Sequence, residues 1–361
     1  MTDIDERTFT GCCGLKSITV HPDNPVYTSE NGILFNKDKT ELKRCPEGQK
    51  GDYIIPASVV KIGVFAFFFC YGLTAIKVHP DNPVFSSENG ILFNKDKTKL
   101  IVYPPAQRQS EYFVPDSVTK IEERAFCECS NLTSIFIPIS VTEVGYRAFF
   151  GCSGLTSMTI PASVTEIGEQ IFFRCTSLTD IIIHPDNPVF ASENGILLNK
   201  DKTILIRYPE GRQGNYVISD SVVRIKNRAF EDCTGLISVV IPDSVTVIEE
   251  SAFDCLDGLT SVIISNSVTE IGFRAFGDCT GLTSVVLPAS VTKIGCNAFS
   301  NCRAFFTVHP DNPVYKSVNG KLKRKRKKNS ITEEISNMSF YDFQNWLIKR
   351  SKKYWENLEK K

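Results

Sequence analysis

The sequence lacks several features that would place it in a common functional class. No apolar run approaches the roughly 18 residues that a transmembrane helix requires. The first residues, MTDIDERTF, contain no basic segment followed by an apolar one, so we expect no secretory signal in the chain. There is no phosphate-binding loop, no dinucleotide-binding fingerprint and no paired-cysteine zinc spacing. These absences argue against a membrane-spanning protein, a nucleotide-dependent enzyme and a zinc-binding domain.

Histidine is also scarce, and its positions argue against catalysis. Each of the 4 histidines opens the same phrase, HPDNPV, and they lie at His21, His79, His184 and His309. A side chain that recurs at one place in a repeat is a poor candidate for a single catalytic base or metal ligand. The aspartate of the phrase offers only one carboxylate per turn, too few for a strong calcium site. We therefore expect structural turns here, and a chain that is not an enzyme and holds no metal or cofactor.

What the sequence does contain is a phrase that recurs with a period of 23 residues. One copy reads AFFGCSGLTSMTIPASVTEIG from Ala148, and its landmark residue is Phe149. The other landmarks are Phe126, Phe172, Phe230, Phe253, Phe276 and Phe299, with looser copies at Phe9 and Phe67. The gaps between them are 58, 59, 23, 23, 58, 23, 23 and 23 residues. Such a period predicts a solenoid over residues 1–320, in which each unit buries its apolar face against its neighbours.

Each short unit contains two strand-like stretches and a turn. The alternation of Leu155, Met158 and Ile160 ends at a proline and predicts a first strand with inward apolar residues. Val164 and Ile167 form a second inward pair before a glycine bend. The following segment, 169–174, returns a landmark phenylalanine to the core, and we predict short turns or a tight helical turn there.

Each longer gap holds about 35 extra residues, and we predict that these form a three-stranded meander spliced into one coil. Asn-Gly pairs at Asn31, Asn89 and Asn194 are typical of type I′ hairpin turns. A fourth insert begins at His309 but becomes strongly basic after Asn319-Gly320.

Thirteen cysteines suggest a disulfide framework at first, but they follow the repeat instead. Eight of them lie three residues after a landmark: Cys12, Cys70, Cys129, Cys152, Cys175, Cys233, Cys279 and Cys302. Cys255 is displaced by one position. Equivalent side chains in a ladder point the same way, and an odd total cannot pair completely, so we predict buried, reduced thiols that act as small hydrophobes.

These repeats resemble the BspA-like class of leucine-rich repeats. The resemblance rests on Ser117-Val118-Thr119-Lys120-Ile121, Ala125-Phe126, Cys129, Leu132, Ile135, Ile137 and Pro138, and on their counterparts in the other coils. It implies a right-handed leucine-rich solenoid used for protein binding or adhesion. Members of this class are often found on the surfaces of bacteria and parasitic protozoa, and the resemblance implies no catalytic residues.

The outward face of the first strands is the candidate binding site. The residue between the two inward ones in successive coils is Phe136, Thr159, Ile182, Val240, Ile263 and Val286. Apolar residues at five of six nominally exposed positions fit a surface that docks a protein partner. Two alternatives stay open: the insert hairpins fold over this face, or strand propensity alone selects these residues.

The C-terminal part of the chain differs in charge from the rest. From Lys316 onward there are 14 basic and 5 acidic residues, so the solenoid carries the compensating negative charge. The basic run contains Lys321, Lys323, Arg324, Lys325, Arg326, Lys327 and Lys328. We predict a basic linker over 321–338 and an amphipathic helix over 339–361. The run could be a solvated linker, a contact for nucleic acid or an anionic membrane, or a nuclear-import signal.

The N-terminal residues align with the middle of a coil. Met1-Thr2-Asp3-Ile4 matches Val118-Thr119-Lys120-Ile121. Because an uncapped solenoid end exposes strand edges and apolar surface, we expect an upstream extension, or pairing of this end with a partner or a second copy.

Overall fold

A computed structural model describes residues 3–5 and 7–325, which form one solenoid of stacked coils. Each complete coil has three sides: a first strand, a short second strand, and a side made of turns that carries the landmark residue. The described residues contain no α-helix, and so none that could span a membrane.

The first sheet runs along one side of the solenoid with parallel strands. Each inter-strand step is about one repeat, as Ser157 opposite Asp180 illustrates. Met158, Ile160 and Ile181 point inward and are fully buried, as the alternation predicts. Its strands are Lys50–Ile55, Gly72–Val78, Glu111–Phe113, Ser134–Phe136, Ser157–Ile160, Asp180–Ile183, Gly214–Val217, Leu236–Ile241, Ser261–Ile264, Ser284–Leu287 and Phe305–Val308.

The second sheet is also parallel along the solenoid, and most of its strands have two residues. The bend after it brings successive coils together so closely that a Cβ on Gly168 would lie 2.4 Å from the backbone nitrogen of Tyr146. A side chain at Gly168 would therefore force the backbones of the two coils apart, although the equivalent position holds Glu122, Lys226 or Glu249 in other coils. The strands are Glu41–Arg44, Lys61–Ile62, Lys99–Val102, Lys120–Ile121, Glu143–Val144, Glu166–Ile167, Ile204–Arg207, Arg224–Ile225, Val247–Ile248, Glu270–Ile271 and Lys293–Ile294.

Four hairpins project from the coils at the predicted inserts. At each tip, both the asparagine and the glycine have positive φ, for example 50° at Asn89 and 77° at Gly90, as a type I′ turn requires. Their strands are Tyr27–Glu30 with Ile33–Asn36, Phe85–Glu88 with Ile91–Asn94, Phe190–Glu193 with Ile196–Asn199, and Tyr315–Val318 with Lys321–Arg324.

The first three inserts also contain something that the sequence analysis missed. The meander has its three antiparallel strands, but the third strand belongs to the second sheet: Lys99–Val102 pairs in parallel with the strand at Lys120. The next residue, Tyr103, then occupies a landmark position and stacks on Phe126 at 5.3 Å. Tyr208 stacks on Phe230 in the same way, at 4.9 Å. Each long gap therefore holds a hairpin and one additional complete coil.

The turn side consists of short turns, so the helical alternative is wrong. The residues two before and two after a landmark have positive φ, such as 52° at Arg147 and 72° at Gly151. Because residues with positive φ recur among residues with negative φ, every second backbone N–H points along the solenoid axis. Arg147, Phe149 and Gly151 each donate to a carbonyl of the next coil, at 3.1, 3.0 and 2.9 Å. The turns thus form a third ladder of hydrogen bonds between coils, which a helix could not provide.

The landmark rings form the centre of the core. The six predicted residues, Phe126, Phe149, Phe172, Phe230, Phe253 and Phe276, are all buried. Phe149 lies 5.3 Å from the ring of Phe126 and 5.7 Å from that of Phe172, nearly parallel to both. Such offset stacks add to the stability that burial gives.

The cysteines of the repeat have a role beyond filling space. The thiols of Cys152, Cys175 and Cys279 donate to the carbonyl of the landmark phenylalanine in the preceding coil, at 3.1, 3.1 and 3.0 Å. Cys129 and Cys233 donate to the carbonyls of the landmark tyrosines, at 3.6 Å each. All five are buried and free of disulfides. A thiol is small enough for the core, and it also donates a hydrogen bond to a landmark carbonyl oxygen that accepts none from the third ladder.

The prediction of burial was wrong for three cysteines. Cys12 is exposed and Cys302 half-buried, because they lie in the outermost repeats. Cys255 is half-buried because Leu256 occupies the inward position in that coil.

The description of the solenoid begins near Ile4 and ends at Lys325. At the N-terminus, the backbone N–H of Ile4 donates to the hydroxyl of Tyr27 at 3.0 Å. The predicted helix over 339–361 and most of the basic linker over 321–338 lie outside the described residues.

Candidate functional site

The candidate site is built from the outward residues of the first sheet, which we call the outer stripe. In each strand the stripe residue lies between two inward apolar residues. Inter-strand pairing places Phe113 opposite Phe136, Thr159 opposite Ile182, and Val217 opposite Val240. The members of the stripe are Ile54, Lys77, Phe113, Phe136, Thr159, Ile182, Val217, Val240, Ile263, Val286 and Thr307.

Most stripe residues are solvent-exposed although they are apolar. Phe113 is 66%, Ile263 58% and Val286 59% exposed. Phe136, Ile182 and Thr159 are also exposed, whereas Val240 is half-buried. Aligning apolar side chains in water brings no gain in stability, so rows of them mark a surface that another molecule can cover.

Sequence reasoning found six of these positions and missed others. Ile54, Phe113 and Val217 belong to coils that have no landmark phenylalanine of their own, so the repeat phrase could not be aligned there. The additional coils of the second and third inserts, recognised through Tyr103 and Tyr208, would have revealed Phe113 and Val217. Cys45 takes the landmark position in the coil of Ile54.

The central part of the stripe contains a pair of stacked aromatic rings. Phe113 and Phe136 are 4.3 Å apart between ring centroids and differ by 8° in orientation. Their strands are held in register by the parallel pairing of Glu111–Phe113 with Ser134–Phe136. Preorganised aromatic surface of this kind is common at the centre of protein interfaces.

Small hydroxyl side chains lie beside the stripe and are held in place by hydrogen bonds to the preceding coil. The hydroxyls of Thr133, Thr179 and Thr260 donate to carbonyls of the preceding coil at 3.0, 3.2 and 3.1 Å. Two ion pairs lie in or beside the stripe: the stripe residue Lys77 with Asp52 at 2.6 Å, and Asp180 with Arg212 at 2.9 Å. The surface is therefore apolar along its centre and polar, with little net charge, along its border.

The hairpins divide the stripe without hiding it. The backbone N–H of Ile76 donates to the tip carbonyl of Gly90 at 2.7 Å, and that of Ile181 to Gly195 at 2.9 Å. Each tip thus lies where the next strand would pair and interrupts the sheet there. The stripe residue beside the second interruption, Ile182, is still 46% exposed. Three segments of open face result.

Comparison with known proteins identifies the repeat. The sequence profile described as BspA type leucine-rich repeat region matches residues 103–194 and 212–316, in 6 copies. This chain belongs to the BspA-type leucine-rich repeat family. The family resemblance proposed from the sequence is therefore confirmed, and so is the solenoid fold.

Solved structures of similar fold come from bacteria. A leucine-rich cell surface protein of Faecalibacterium prausnitzii superposes with a TM-score of 0.53 and 24% sequence identity, over 81% of this chain and 97% of that one. The pneumococcal vaccine antigen PcpA gives a TM-score of 0.55 and 21% identity, over 84% of this chain and 74% of that one. At these identities the likeness establishes the fold. No curated protein sequence matches the chain significantly.

The histidine turns of this BspA-type solenoid are structural. In the second insert, Asn82 is fully buried, and its amide donates to the carbonyls of Pro56 and Val59 at 2.8 Å each. Its side-chain oxygen accepts from the backbone of Val84 and Phe85. Asn187 and Asn312 make the same amide bonds, so the HPDNP phrase ties the second, third and fourth hairpins to the preceding coil.

One group of side chains in the described residues has the spacing of metal ligands: Asp254, Cys255 and Asp278. Arg274 already lies against both carboxylates, with its Nε 3.0 Å from Asp254 and a second nitrogen on Asp278. The guanidinium supplies the positive charge that a metal would otherwise bring. Its hydrogen bonds to these carboxylates raise the pKa of Arg274 well above its usual range.

The fourth hairpin is the described part of the basic run. Lys321 and Lys323 are exposed, whereas the first and third residues after the glycine of the other hairpin tips, such as Ile91 and Phe93, are buried. Arg324 is also exposed and takes the place of an asparagine. The Nζ of Lys325 donates to the carbonyl of Asn312 at 2.6 Å. Arg326, Lys327 and Lys328 lie outside the described residues.

Proposed function

We propose that this protein is a non-catalytic binding scaffold whose outer stripe docks a protein partner, in the manner of an adhesion module. The observation that carries the proposal is the row of exposed apolar residues held in register on a parallel sheet. Val217, Val240 and Ile263 lie directly opposite one another on successive strands. A rigid row loses little conformational entropy when a partner covers it, which favours affinity.

The family supports a binding role. The F. prausnitzii relative is described as a cell surface protein and PcpA as a vaccine antigen. Proteins at such locations meet other macromolecules through their exposed faces. The apolar centre and hydroxyl border of the stripe resemble the core and rim of a protein interface.

The side chains of the solenoid also favour binding over catalysis. The histidines lie in structural turns of the hairpins, and acidic side chains such as Asp254 and Glu122 are held by arginine or lysine. We infer no reaction from such an arrangement.

A second function, contact with an anionic partner, is favoured by the fourth hairpin. Its exposed Lys321, Lys323 and Arg324 continue into the basic run. Clustered cations attract nucleic acid or anionic lipid with little sequence selectivity and with a strong dependence on salt.

Partner capture from the host separates the two functions. We compare the full chain with a chain that ends at Lys325 and carries glutamine at Lys321, Lys323 and Arg324. If the stripe is the binding surface, both chains capture the same protein, and raising the salt concentration changes the yield little. Loss of capture in the neutralised chain, together with salt-sensitive capture by the full chain, would contradict the scaffold proposal and favour the basic run.

A further inference from the structure

Each of the first three inserts creates a cleft at the same place in its coil, and the three clefts differ greatly in volume. Each cleft lies between the coil before the hairpin and the coil after it, under the hairpin strands. The first, next to Arg44, has a volume of about 30 Å³, and the third, next to Arg207, about 70 Å³. The second, next to Val102, measures about 310 Å³. We call this second one the open cleft.

An arginine and a glutamate close the first and third clefts. Arg207 donates to the carbonyl of Arg228 in the coil after the insert, at 2.8 Å, and also contacts Glu210. Glu210 accepts from the backbone N–H of Arg174, in the coil before the insert, at 2.9 Å. Arg44 and Glu47 join the coils around the first insert in the same way. All four side chains are buried.

The second insert lacks this pair. The segments Arg44-Cys45-Pro46-Glu47 and Arg207-Tyr208-Pro209-Glu210 correspond to Val102-Tyr103-Pro104-Pro105. Valine is several atoms shorter than arginine, and proline has no carboxylate, so the volume that the pair fills elsewhere is left open.

Two hydrogen-bond donors near the open cleft also have no partner in the described part of the chain. The N–H of Phe69 is equivalent to that of Arg174, but it donates to nothing among the described residues. The side chain of Arg124 lines the cleft and is only 10% exposed. Its Nε is buried and has no hydrogen-bond partner in the described part of the chain. Burying a donor without an acceptor costs free energy, and the Nε of Arg44 in the first cleft is buried in the same way.

The walls of the open cleft are apolar and partly aromatic. Phe67, Phe68 and Phe85 line it together with Ile101 and Val102. Val64 stands at its edge and is 56% exposed, so the cleft can be reached from solvent. A volume of about 310 Å³ lies at the lower end of the range found for small-molecule pockets.

Arg124 is the only cationic residue among the described residues that line the cleft, so it is the group that favours an acidic ligand. Its guanidinium carbon lies 4.6 Å from the ring centre of Phe65 and 5.3 Å from that of Phe68. Of the two glutamates in the lining, Glu122 lies 3.5 Å from both Lys99 and Lys120, and Glu123 contacts Arg124 itself. Since these carboxylates already have cations, they oppose an incoming anion only weakly.

We propose that the open cleft binds a small molecule with an aromatic body and a carboxylate head. The aromatic body occupies the volume that arginine fills in the other two clefts and packs against Phe67, Phe68 and Phe85. The carboxylate pairs with the guanidinium of Arg124, whose side chain is 10% exposed, beside the contact that this group makes with Glu123. This site lies on the turn side of the solenoid and is independent of the outer stripe.

Phenylacetate and phenethylamine are matched probes, since they share the aromatic ring and differ in the charge of the head. Saturation-transfer NMR on the full chain should show binding of phenylacetate, with binding of phenethylamine weaker by about tenfold or more because Arg124 repels its ammonium group. Equal binding of the two probes, or no transfer to phenylacetate, would overturn the proposal.

The double variant V102R/P105E rebuilds the pair of the other two clefts and should abolish phenylacetate binding. Its urea unfolding midpoint checks that the chain remains folded. Should it fail to fold, Val102→Phe fills the cleft without new charge and is expected to weaken binding about tenfold or more. Undiminished binding to a folded cleft-filling variant would refute the assigned site.

Discussion

Replacing Phe149 by alanine tests whether the ring ladder holds the coils together. Phe149 is completely buried and has a nearly parallel ring on each side, at 5.3 and 5.7 Å. Removal of a buried phenylalanine side chain costs about 3–5 kcal/mol, and the two stacks place this site in the upper part of that range. We therefore expect Phe149→Ala to lower the free energy of unfolding by about 4 kcal/mol.

Phe299 provides a matched control at the end of the ladder. It is half-buried and has one parallel neighbour, Phe276, at 5.3 Å. Phe299→Ala should cost about half as much, roughly 2 kcal/mol, because less apolar surface is removed from the core.

Urea unfolding followed by circular dichroism measures both costs, and hydrogen exchange locates them. In a solenoid with nearest-neighbour coupling, exchange in Phe149→Ala should rise first in the adjacent coils, around Phe126 and Phe172. A cost below about 1 kcal/mol, against the several expected for a core phenylalanine, would refute the reasoning. A uniform rise in exchange along the whole chain would refute the nearest-neighbour part.

Two further predictions follow from buried polar groups. At pH 8, iodoacetamide should modify the exposed Cys12, Cys13 and Cys296 quickly and the core cysteines only on unfolding, because burial raises the pKa of thiols such as Cys152 well above its usual range; mass spectrometry showing equal rates for Cys152 and Cys296 would contradict this. Arg207→Met should destabilise the chain by about 3–5 kcal/mol because it leaves a buried carboxylate without its partner, and adding Glu210→Gln should restore much of the loss in urea unfolding; an unchanged or greater loss in the double variant would rule out the unpaired carboxylate as the cause.

The period of the landmark phenylalanines was sufficient to predict the solenoid, because a residue such as Phe149 recurs wherever a coil must fill the same space. The hairpin tips were also predictable, since Asn89-Gly90 has few other conformations to adopt. Local sequence determines both features directly.

Other features depend on contacts between distant residues and could not be predicted in this way. The additional coil in each of the first three inserts was hidden because Cys45, Tyr103 and Tyr208 replace phenylalanine at the landmark. The turn side was mistaken for a helical turn because Arg147 adopts positive φ, a conformation that its sequence does not indicate. The bond from Glu210 to Arg174 joins residues 36 positions apart, and only the stacking of the coils brings them together.

The outer stripe could be predicted only in part, because its formation depends both on local alternation and on the pairing of distant strands. Alternation along one strand identifies an outward residue such as Ile263, but only the register between strands shows that it lies opposite Val240. Whether a hairpin covers the face is likewise a question of three-dimensional packing.

Partner binding by a chain with serine at Val240, Ile263 and Val286 tests most directly whether the outer stripe is the docking surface. A matched control carries serine at three exposed apolar residues away from the stripe, Ile139, Val189 and Val223. The partner is the protein that the wild-type chain captures from its host, and affinity is measured by titration calorimetry with unfolding midpoints as a check. We predict that the stripe variant stays folded and binds about tenfold or more weakly, while the control binds normally. Equal binding by both folded variants would contradict the assignment of the outer stripe as the docking surface.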